Sequence, residues 1–203
     1  MVAPGEPVVV SGEAPRYVGR GGDKLAGALA RFRVPVAGVR ALDAGASTGG
    51  FTDCLLQHGA ARVAAVDVGY GQLHERLRAD PRVEVHERTD IRQFASGEPF
   101  EVVVADLSFI SLRTVAPALV GLAAPGADLV VLVKPQFEAG RAEASKGRGV
   151  IRDPAVREQA LKAVCSAMEE AGAAMIEVME SPLRGAEGNV EFLAHLRTPV
   201  AGG

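Results

Sequence analysis

Short apolar runs alternate with amphipathic helical patterns along most of the chain, and this alternation restricts the fold more than any other feature. Seven runs are typical of strands: VRALDAG, ARVAAVDVG, VEVHER, EVVVADLS, ADLVVLVKP, AAMIEVMES and NVEFLAHLR. Five segments have helical spacing: DKLAGALARF, FTDCLLQHG, QLHERLRAD, SLRTVAPALVGLA and PAVREQALKAVCSAMEEAG. Strands and helices joined in this order form parallel, doubly wound sheets. We therefore predict an α/β fold of Rossmann-like type, with a doubly wound, mostly parallel seven-stranded sheet and helices on both faces.

The length of 203 residues suits one domain with a sizeable core. Residues 1–15 are rich in Pro, Gly and Val and show no sustained period, which predicts a linker. Residues 16–203 are predicted to form the folded domain. The formal net charge of −3 does not by itself indicate a nucleic-acid-binding protein.

Basic residues are nevertheless concentrated in two places. The segment 14–40 holds one acid, Asp23, and six basic residues: Arg16, Arg20, Lys24, Arg31, Arg33 and Arg40. A second cluster lies in the polar loop 138–152: Arg141, Lys146, Arg148 and Arg152. Loops of that length within a domain are usually functional or mobile. Both clusters are compatible with anion binding and with ordinary solvated surface.

Membrane, metal and disulfide chemistry find little support in the sequence. The first residues lack the pattern of a signal peptide, and no apolar run reaches the roughly 18 residues of a membrane helix. Cys54 and Cys165 are far apart, and the four histidines have no metal-ligand spacing. We expect a cytoplasmic protein with no membrane partner and no metal, and we leave its oligomeric state open.

The stretch LDAGASTGGFT, residues 42–52, resembles two phosphate-binding motifs and completes neither. A P-loop requires a lysine where Phe51 stands. A dinucleotide fingerprint requires three glycines at a spacing that Gly45, Gly49 and Gly50 do not have. A carboxylate at Asp43 would also repel a pyrophosphate.

A cationic ligand suits this turn better. S-adenosylmethionine carries a sulfonium and an ammonium group and no phosphate, so Asp43 would attract it. Asp67 ends the second strand, where an acid can accept hydrogen bonds from ribose hydroxyls. Asp90 follows the third strand and could contact the adenine amino group. The alternative is a tight strand–helix turn with a capping Asp or Ser and no ligand.

Four polar residues stand at positions where an apolar side chain would be ordinary: Lys24, Asp106, Lys134 and Glu191. Asp106 and Lys134 end apolar strands, and the carboxyl ends of parallel strands line the ligand crevice of such sheets. A buried lysine is costly unless it is paired, so a structural salt bridge is the alternative for Lys134.

The blocks GRGGDKL, LDAGASTGGFT, VDVGYGQL, ADLSFISL, LVKPQFE, VIRDP and GNVEF, in this order, strongly resemble the TlyA (hemolysin-like) family of ribosomal-RNA 2′-O-methyltransferases. The resemblance runs from about residue 16 to residue 197 and implies an FtsJ-type catalytic domain of the class I S-adenosylmethionine-dependent fold. It places the family's Lys–Asp–Lys–Glu tetrad on Lys24, Asp106, Lys134 and Glu191. It also implies that members carry a small RNA-binding domain ahead of this region, so residues 1–15 are expected to be a remnant of it or a linker.

The resemblance implies 2′-O-methylation of cytidine in ribosomal RNA or ribosomal subunits. The expected cofactor-binding residues are Asp43, Gly45, Ser47, Gly49, Gly50, Phe51, Asp67, Asp90 and Asp106. The expected substrate-binding residues are Arg16, Arg20, Phe109, Lys146 and Arg148. Phe109 could stack on a flipped base, with core packing as the alternative.

In the expected chemistry, Lys134 lies between the carboxylates of Asp106 and Glu191 and orients the ribose hydroxyl or accepts its proton. Lys24 completes the charge network or touches a substrate phosphate. Two other functions stay open. One is methylation of a small molecule such as a free nucleoside, and the other is a non-catalytic protein that binds S-adenosylmethionine or RNA.

Overall fold

The computed structural model describes residues 15–140, 147 and 149–200. Seven strands and six helices follow one another in these ranges. The strands are β1 Arg40–Ala44, β2 Arg62–Val66, β3 Val83–His86, β4 Phe100–Ala105, β5 Ala123–Val133, β6 Ala174–Glu180 and β7 Phe192–Arg197. The helices are α1 Gly21–Phe32, α2 Gly50–Gln57, α3 Glu75–Arg78, α4 Leu112–Leu122, α5 Pro135–Glu138 and α6 Pro154–Glu170, with a 3-10 turn at Ala186–Gly188.

All seven strands form one sheet in the order β3-β2-β1-β4-β5-β7-β6. Strands β1 to β5 pair in parallel with their neighbours, whereas β7 is antiparallel to both β5 and β6. The predicted doubly wound, mostly parallel seven-stranded sheet is therefore confirmed. The strand order reverses direction at β1 and β4, which is where open α/β sheets bind their ligands.

Two separate cores explain the continuous apolar strands. On one face, α1 and α2 pack Leu25 and Leu55 against the sheet, and on the other face α4 and α6 pack Leu119 and Met168. All four side chains are fully buried. Because β4 is covered on both faces, five of its six residues are apolar, as is typical of a central parallel strand.

Local sequence signals set several helix ends. Asp153 precedes α6 with Pro154 at the first helical position, and its side chain accepts a hydrogen bond from the Ala155 amide at 2.9 Å. Ser111 caps α4 in the same way through the Arg113 amide. These contacts satisfy amide groups that have no partner inside a helix, and they confirm the predicted start of α6.

Some element boundaries differ from the sequence-based expectation. The third helix is only four residues long, and α4 passes directly into β5 at Ala123. Strand β7 begins at Phe192, so Glu191 lies immediately before the last strand and not within it. Within the described ranges, no helix has the length and apolar character needed to cross a bilayer.

Candidate active site

The glycine turn after β1 depends on backbone conformations that few side chains tolerate. Gly45 and Gly49 have φ angles of 86° and 99°. A Cβ atom on Gly45 would lie 2.7 Å from the Asp106 carbonyl oxygen, and one on Gly49 would lie 2.2 Å from the Leu77 side chain. Both glycines therefore allow the turn to approach the neighbouring strand end and α3 closely.

A cavity of about 540 Å³ opens beside this turn, between the ends of β1, β2 and β4. Its wall includes the predicted residues Gly45, Ser47, Asp67, Asp90, Asp106 and Phe109. Asp67 accepts hydrogen bonds from the Ser47 amide at 2.8 Å and the Gly69 amide at 2.6 Å. These bonds hold the Asp67 carboxylate at the end of β2, in the wall of the cavity.

Asp90 lies on the far wall of the same cavity, next to Ile91. Its carboxylate is bound by the side chain of Arg92, with Nη2 to Oδ2 at 2.5 Å, and accepts the Arg92 amide as well. The Arg92 side chain is the main reason that the pKa of Asp90 falls to about 2. Asp90 is thus a fixed anion at the end of the cavity that is farthest from β4.

Asp43 is fully buried behind the turn. Its Oδ2 atom accepts a hydrogen bond from the Thr52 hydroxyl at 2.6 Å, while its Oδ1 atom is buried without a partner among the described residues. The pKa of Asp43 is raised to about 7, chiefly by burial and also by the negative charges of Asp106 and Asp67, while the Thr52 hydrogen bond opposes the shift. Three carboxylates around one turn form a site that a cation would stabilise.

Residues 49–51, which follow the turn, pack against α1. Phe51 is buried and packs close to α1, because a Cβ atom on Gly21 would lie 3.3 Å from its ring. A Cβ atom on Gly50 would lie 3.0 Å from the Gly22 amide nitrogen. The first turn of α2 therefore fits directly against the first turn of α1.

A second cavity, of about 240 Å³, adjoins the first on the side of α1 and β5. It is lined by Arg20, Gly21, Phe51 and Lys134, among others. Gly45, Ser47, Asp106 and Ser108 line both cavities. The two spaces therefore meet at the end of β4, where a group bound in one could react with a group bound in the other.

The four tetrad residues form two ion pairs in this region. Lys134 Nζ lies 2.6 Å from Asp106 Oδ1 and donates a hydrogen bond to Ser108 Oγ at 2.9 Å. Lys24 Nζ lies 2.6 Å from Glu191 Oε2, and both of these side chains are almost completely buried. Residues separated by 167 positions in the chain thus make a direct contact.

This pairing corrects one expectation. Lys134 was expected between the carboxylates of Asp106 and Glu191, but in the described structure Glu191 binds Lys24. The remaining Glu191 oxygen accepts a weak hydrogen bond from Gln136 Nε2 at 3.4 Å. Glu191 thus contacts α1 through Lys24 and the segment after β5 through Gln136.

Gly185 determines how Glu191 fits. A Cβ atom at Gly185 would lie 2.0 Å from Glu191 Oε1 and 2.5 Å from its Cδ. The Gly185 amide donates to the Asn189 carbonyl at 2.9 Å, which closes the turn before β7. The carboxylate therefore occupies space that only a glycine leaves free.

The expected substrate residues lie in different surroundings. Arg16 and Arg20 are exposed, and Arg20 donates to the Arg184 carbonyl at 3.3 Å. Phe109 is 93% exposed, so the core-packing alternative is wrong. Its ring leans on Phe137, with centroids 5.2 Å apart. Lys146 and Arg148 lie outside the described residues.

The other titratable residues are structural. Cys54 and Cys165 are free thiols, buried and half-buried respectively. His195 is buried and lies 2.7 Å from Asp128, because β7 lies inside the sheet. The described side chains contain no group of three or more His, Cys, Asp or Glu residues arranged to hold a metal ion.

Three residues of the site were not selected from the sequence. Ser108 lies within the quoted block ADLSFISL and Gln136 within LVKPQFE. Neither was selected, because a single serine or glutamine does not by itself indicate a catalytic role. Thr52 is the last residue of the quoted turn LDAGASTGGFT, and its hydroxyl donates a hydrogen bond to the buried Asp43.

Comparison with known proteins agrees with this geometry. The FtsJ-like methyltransferase family matches residues 17–198. The chain is 54% identical to the 16S/23S rRNA (cytidine-2′-O)-methyltransferase TlyA of Mycobacterium tuberculosis, over 94% of this chain and 72% of that one. It is 36% identical to the 23S rRNA (cytidine-2′-O)-methyltransferase TlyA of Campylobacter jejuni, over 87% and 69%. A solved structure of a hemolysin-named protein from Streptococcus thermophilus superposes with a TM-score of 0.88 at 43% identity, over 93% and 70%.

The sheet order and the paired cavities define a methyltransferase of the doubly wound class, for which S-adenosylmethionine is the methyl donor. The chain belongs to the FtsJ-like methyltransferase family, within its TlyA group.

Proposed function

We propose that this chain transfers a methyl group from S-adenosylmethionine to the 2′-hydroxyl of cytidine in ribosomal RNA. The observation that carries the proposal is the Lys134–Asp106 ion pair, which lies at the junction of the two cavities. The substrate named for the Mycobacterium tuberculosis relative supports the same reaction. Residues 16–203 would form the methyltransferase domain, and the enzyme would act in the cytoplasm on RNA or ribosomal subunits.

The site residues fit the cofactor by charge. The ammonium and sulfonium groups of the donor match a turn surrounded by Asp43, Asp67 and Asp106, and no described residue donates a hydrogen bond to the buried Oδ1 of Asp43. Asp67 would bind the ribose hydroxyls and Asp90 the adenine amino group, with the backbone of Gly45, Ser47, Gly49 and Gly50 beside the methionine part. Phe51 would support the turn from the core. When bound, the cofactor supplies an electrophilic methyl carbon.

A ribose hydroxyl is a weak nucleophile near neutral pH, so the site must align it and stabilise the negative charge that develops on its oxygen. Lys134 can do both, because its ammonium group lies at the junction and is held by Asp106. We propose that Lys134 orients the hydroxyl and stabilises the developing alkoxide. Asp106 keeps the ammonium group at that place.

The second ion pair would support the first. Lys24 and Glu191 are nearly buried, and such pairs are seldom retained for stability alone because both charges lose their hydration. Of the two roles considered for Lys24, completion of the charge network fits its burial better than contact with a substrate phosphate. Gln136 links this pair to the segment that carries Lys134.

RNA recognition would use exposed residues near the site, among them Phe109 in the wall of the first cavity and Arg20 in the wall of the second. An aromatic ring that is 93% exposed beside the reaction site suits stacking on an extruded base, so Phe109 would hold the target cytosine. Arg16 and Arg20 would bind phosphates, and we keep Lys146 and Arg148 as further phosphate contacts. A free nucleoside would leave these arginines unused.

The test is methyl transfer from labelled S-adenosylmethionine by the purified chain. Ribosomal subunits, naked ribosomal RNA and free nucleosides are compared at one salt concentration, with Lys134→Ala as the matched control for contaminating activity. We expect label in 2′-O-methylcytidine after digestion of the RNA. Label in nucleosides with inert RNA would replace the proposal with the small-molecule function, and cofactor binding without any transfer would support a non-catalytic role.

A further inference from the structure

Ser108 makes a contact that the four tetrad residues do not account for. Its hydroxyl oxygen accepts a hydrogen bond from Lys134 Nζ at 2.9 Å. Because Ser108 is exposed, water could satisfy its hydroxyl, and burial does not explain this contact. Ser108 also lines both cavities, as Asp106 does. It therefore stands where the donor and the acceptor of the methyl group would meet.

An ammonium group has three N–H donors arranged tetrahedrally around the Cε–Nζ bond. Ser108 Oγ accepts one of them at 2.9 Å, while Asp106 Oδ1 lies 2.6 Å from Nζ as its ion-pair partner. These two contacts together restrict where the ammonium group can lie and how it can rotate. With Asp106 alone, the long lysine side chain could swing about a single contact.

The backbone around Ser108 is held in place from several sides. The next residue, Phe109, has a positive φ of 66°, which is strained for a residue other than glycine. Two residues further on, the Ser111 hydroxyl bonds Glu138 Oε2 at 2.5 Å, and Glu138 also accepts the Leu112 amide at 2.7 Å. The buried Glu138 thus clamps the loop after β4 onto α5, close to Lys134.

We propose that Ser108 is a positioning residue for methyl transfer. Together with the charge of Asp106, its hydrogen bond fixes the Lys134 ammonium group so that a remaining N–H points to the place where the acceptor 2′-hydroxyl docks. The inference rests on the proposed function, because it assigns a role within the same reaction. A purely structural role does not explain this contact, since an exposed hydroxyl that contacts a lysine side chain contributes little to folding.

The test uses Ser108→Ala and Ser108→Thr, with Ser166→Ala on the exposed face of α6 as the matched control. Single-turnover methylation of ribosomal RNA at saturating RNA and cofactor measures the chemical step. Calorimetry measures the affinity for S-adenosylhomocysteine, and thermal melting reports the fold.

We expect Ser108→Ala to slow the single-turnover rate about tenfold, because a hydrogen bond to a charged group is lost. Cofactor affinity and melting temperature should stay at the wild-type values, and Ser108→Thr, which keeps the hydroxyl, should recover most of the rate. An alanine variant with the wild-type rate would overturn the inference. A slower rate that Ser108→Thr does not restore would also overturn it. So would a slower rate that is accompanied by weaker cofactor binding or a lower melting temperature. If the wild-type chain does not methylate RNA at all, the proposed function itself fails and this inference falls with it.

Discussion

Replacing Asp43 with asparagine should change how cofactor affinity depends on pH. The carboxyl group is fully buried, and its pKa is raised to about 7 by burial and by its carboxylate neighbours. Binding of a cation favours the ionised form. Below pH 7 the free protein must therefore release a proton from Asp43 when the cofactor binds.

The size of the effect follows from that pKa. At pH 6 about one tenth of the Asp43 side chains would be ionised, and at pH 8 about nine tenths. Affinity for the cofactor should thus rise about tenfold between pH 6 and pH 8, which corresponds to about 1.4 kcal/mol. Most of this rise should fall below pH 7.

The free energy of unfolding of the cofactor-free protein should instead fall as the pH rises. The folded-state pKa of about 7 exceeds the ordinary value of 3.8, so the folded protein binds the extra proton between these limits. The stabilisation is fully present below the unfolded-state pKa and is lost as the pH rises through about 7. The free energy of unfolding would fall by up to about 4 kcal/mol over this pH range, and the Asp43→Asn variant should not show this decrease.

Titration calorimetry with S-adenosylmethionine from pH 5.5 to 8, in buffers of different ionisation enthalpy, measures affinity and proton release together. The asparagine variant is the matched control, because its amide oxygen can still accept the Thr52 hydroxyl. We expect this variant to bind more weakly and without the pH dependence. Equal affinity of the wild-type protein at pH 6 and pH 8, with no proton release, would refute the argument.

Three other substitutions test different parts of the site. Lys134→Ala should reduce the rate of methyl transfer by about 10² or more and leave the fold unchanged, as rate assays and thermal melting would show; near-normal turnover would contradict its role. Gly185→Ala should slow transfer about tenfold, because its Cβ atom would displace the Glu191 carboxylate, while calorimetry finds normal cofactor binding. Phe109→Ala should raise the KM for RNA about tenfold, from the loss of about 1–3 kcal/mol of stacking, whereas Phe109→Tyr should not.

The sequence alone was sufficient to predict the sheet and the edge that carries the site. Strands β4 and β5 contain continuous apolar runs that Asp106 and Lys134 follow directly, and Asp43 is the residue before the end of β1. Parallel strands bring their carboxyl ends to one edge, so the approximate neighbourhood of these side chains followed from their order in the chain. The turn between Gly45 and Gly50 was visible for the same reason, since glycine marks unusual backbone conformations.

Only the tertiary structure decided which of these residues pair. Lys24 and Glu191 meet across 167 positions because α1 and the segment before β7 lie against each other, and no local pattern encodes that contact. Phe109 was ambiguous for a similar reason, because a lone aromatic in a loop can face the core or solvent, and the strained backbone after Ser108 turns it outward. Periodicity and residue type determine which face of an element is buried, whereas the direction of a side chain in a loop depends on packing between elements distant in the chain.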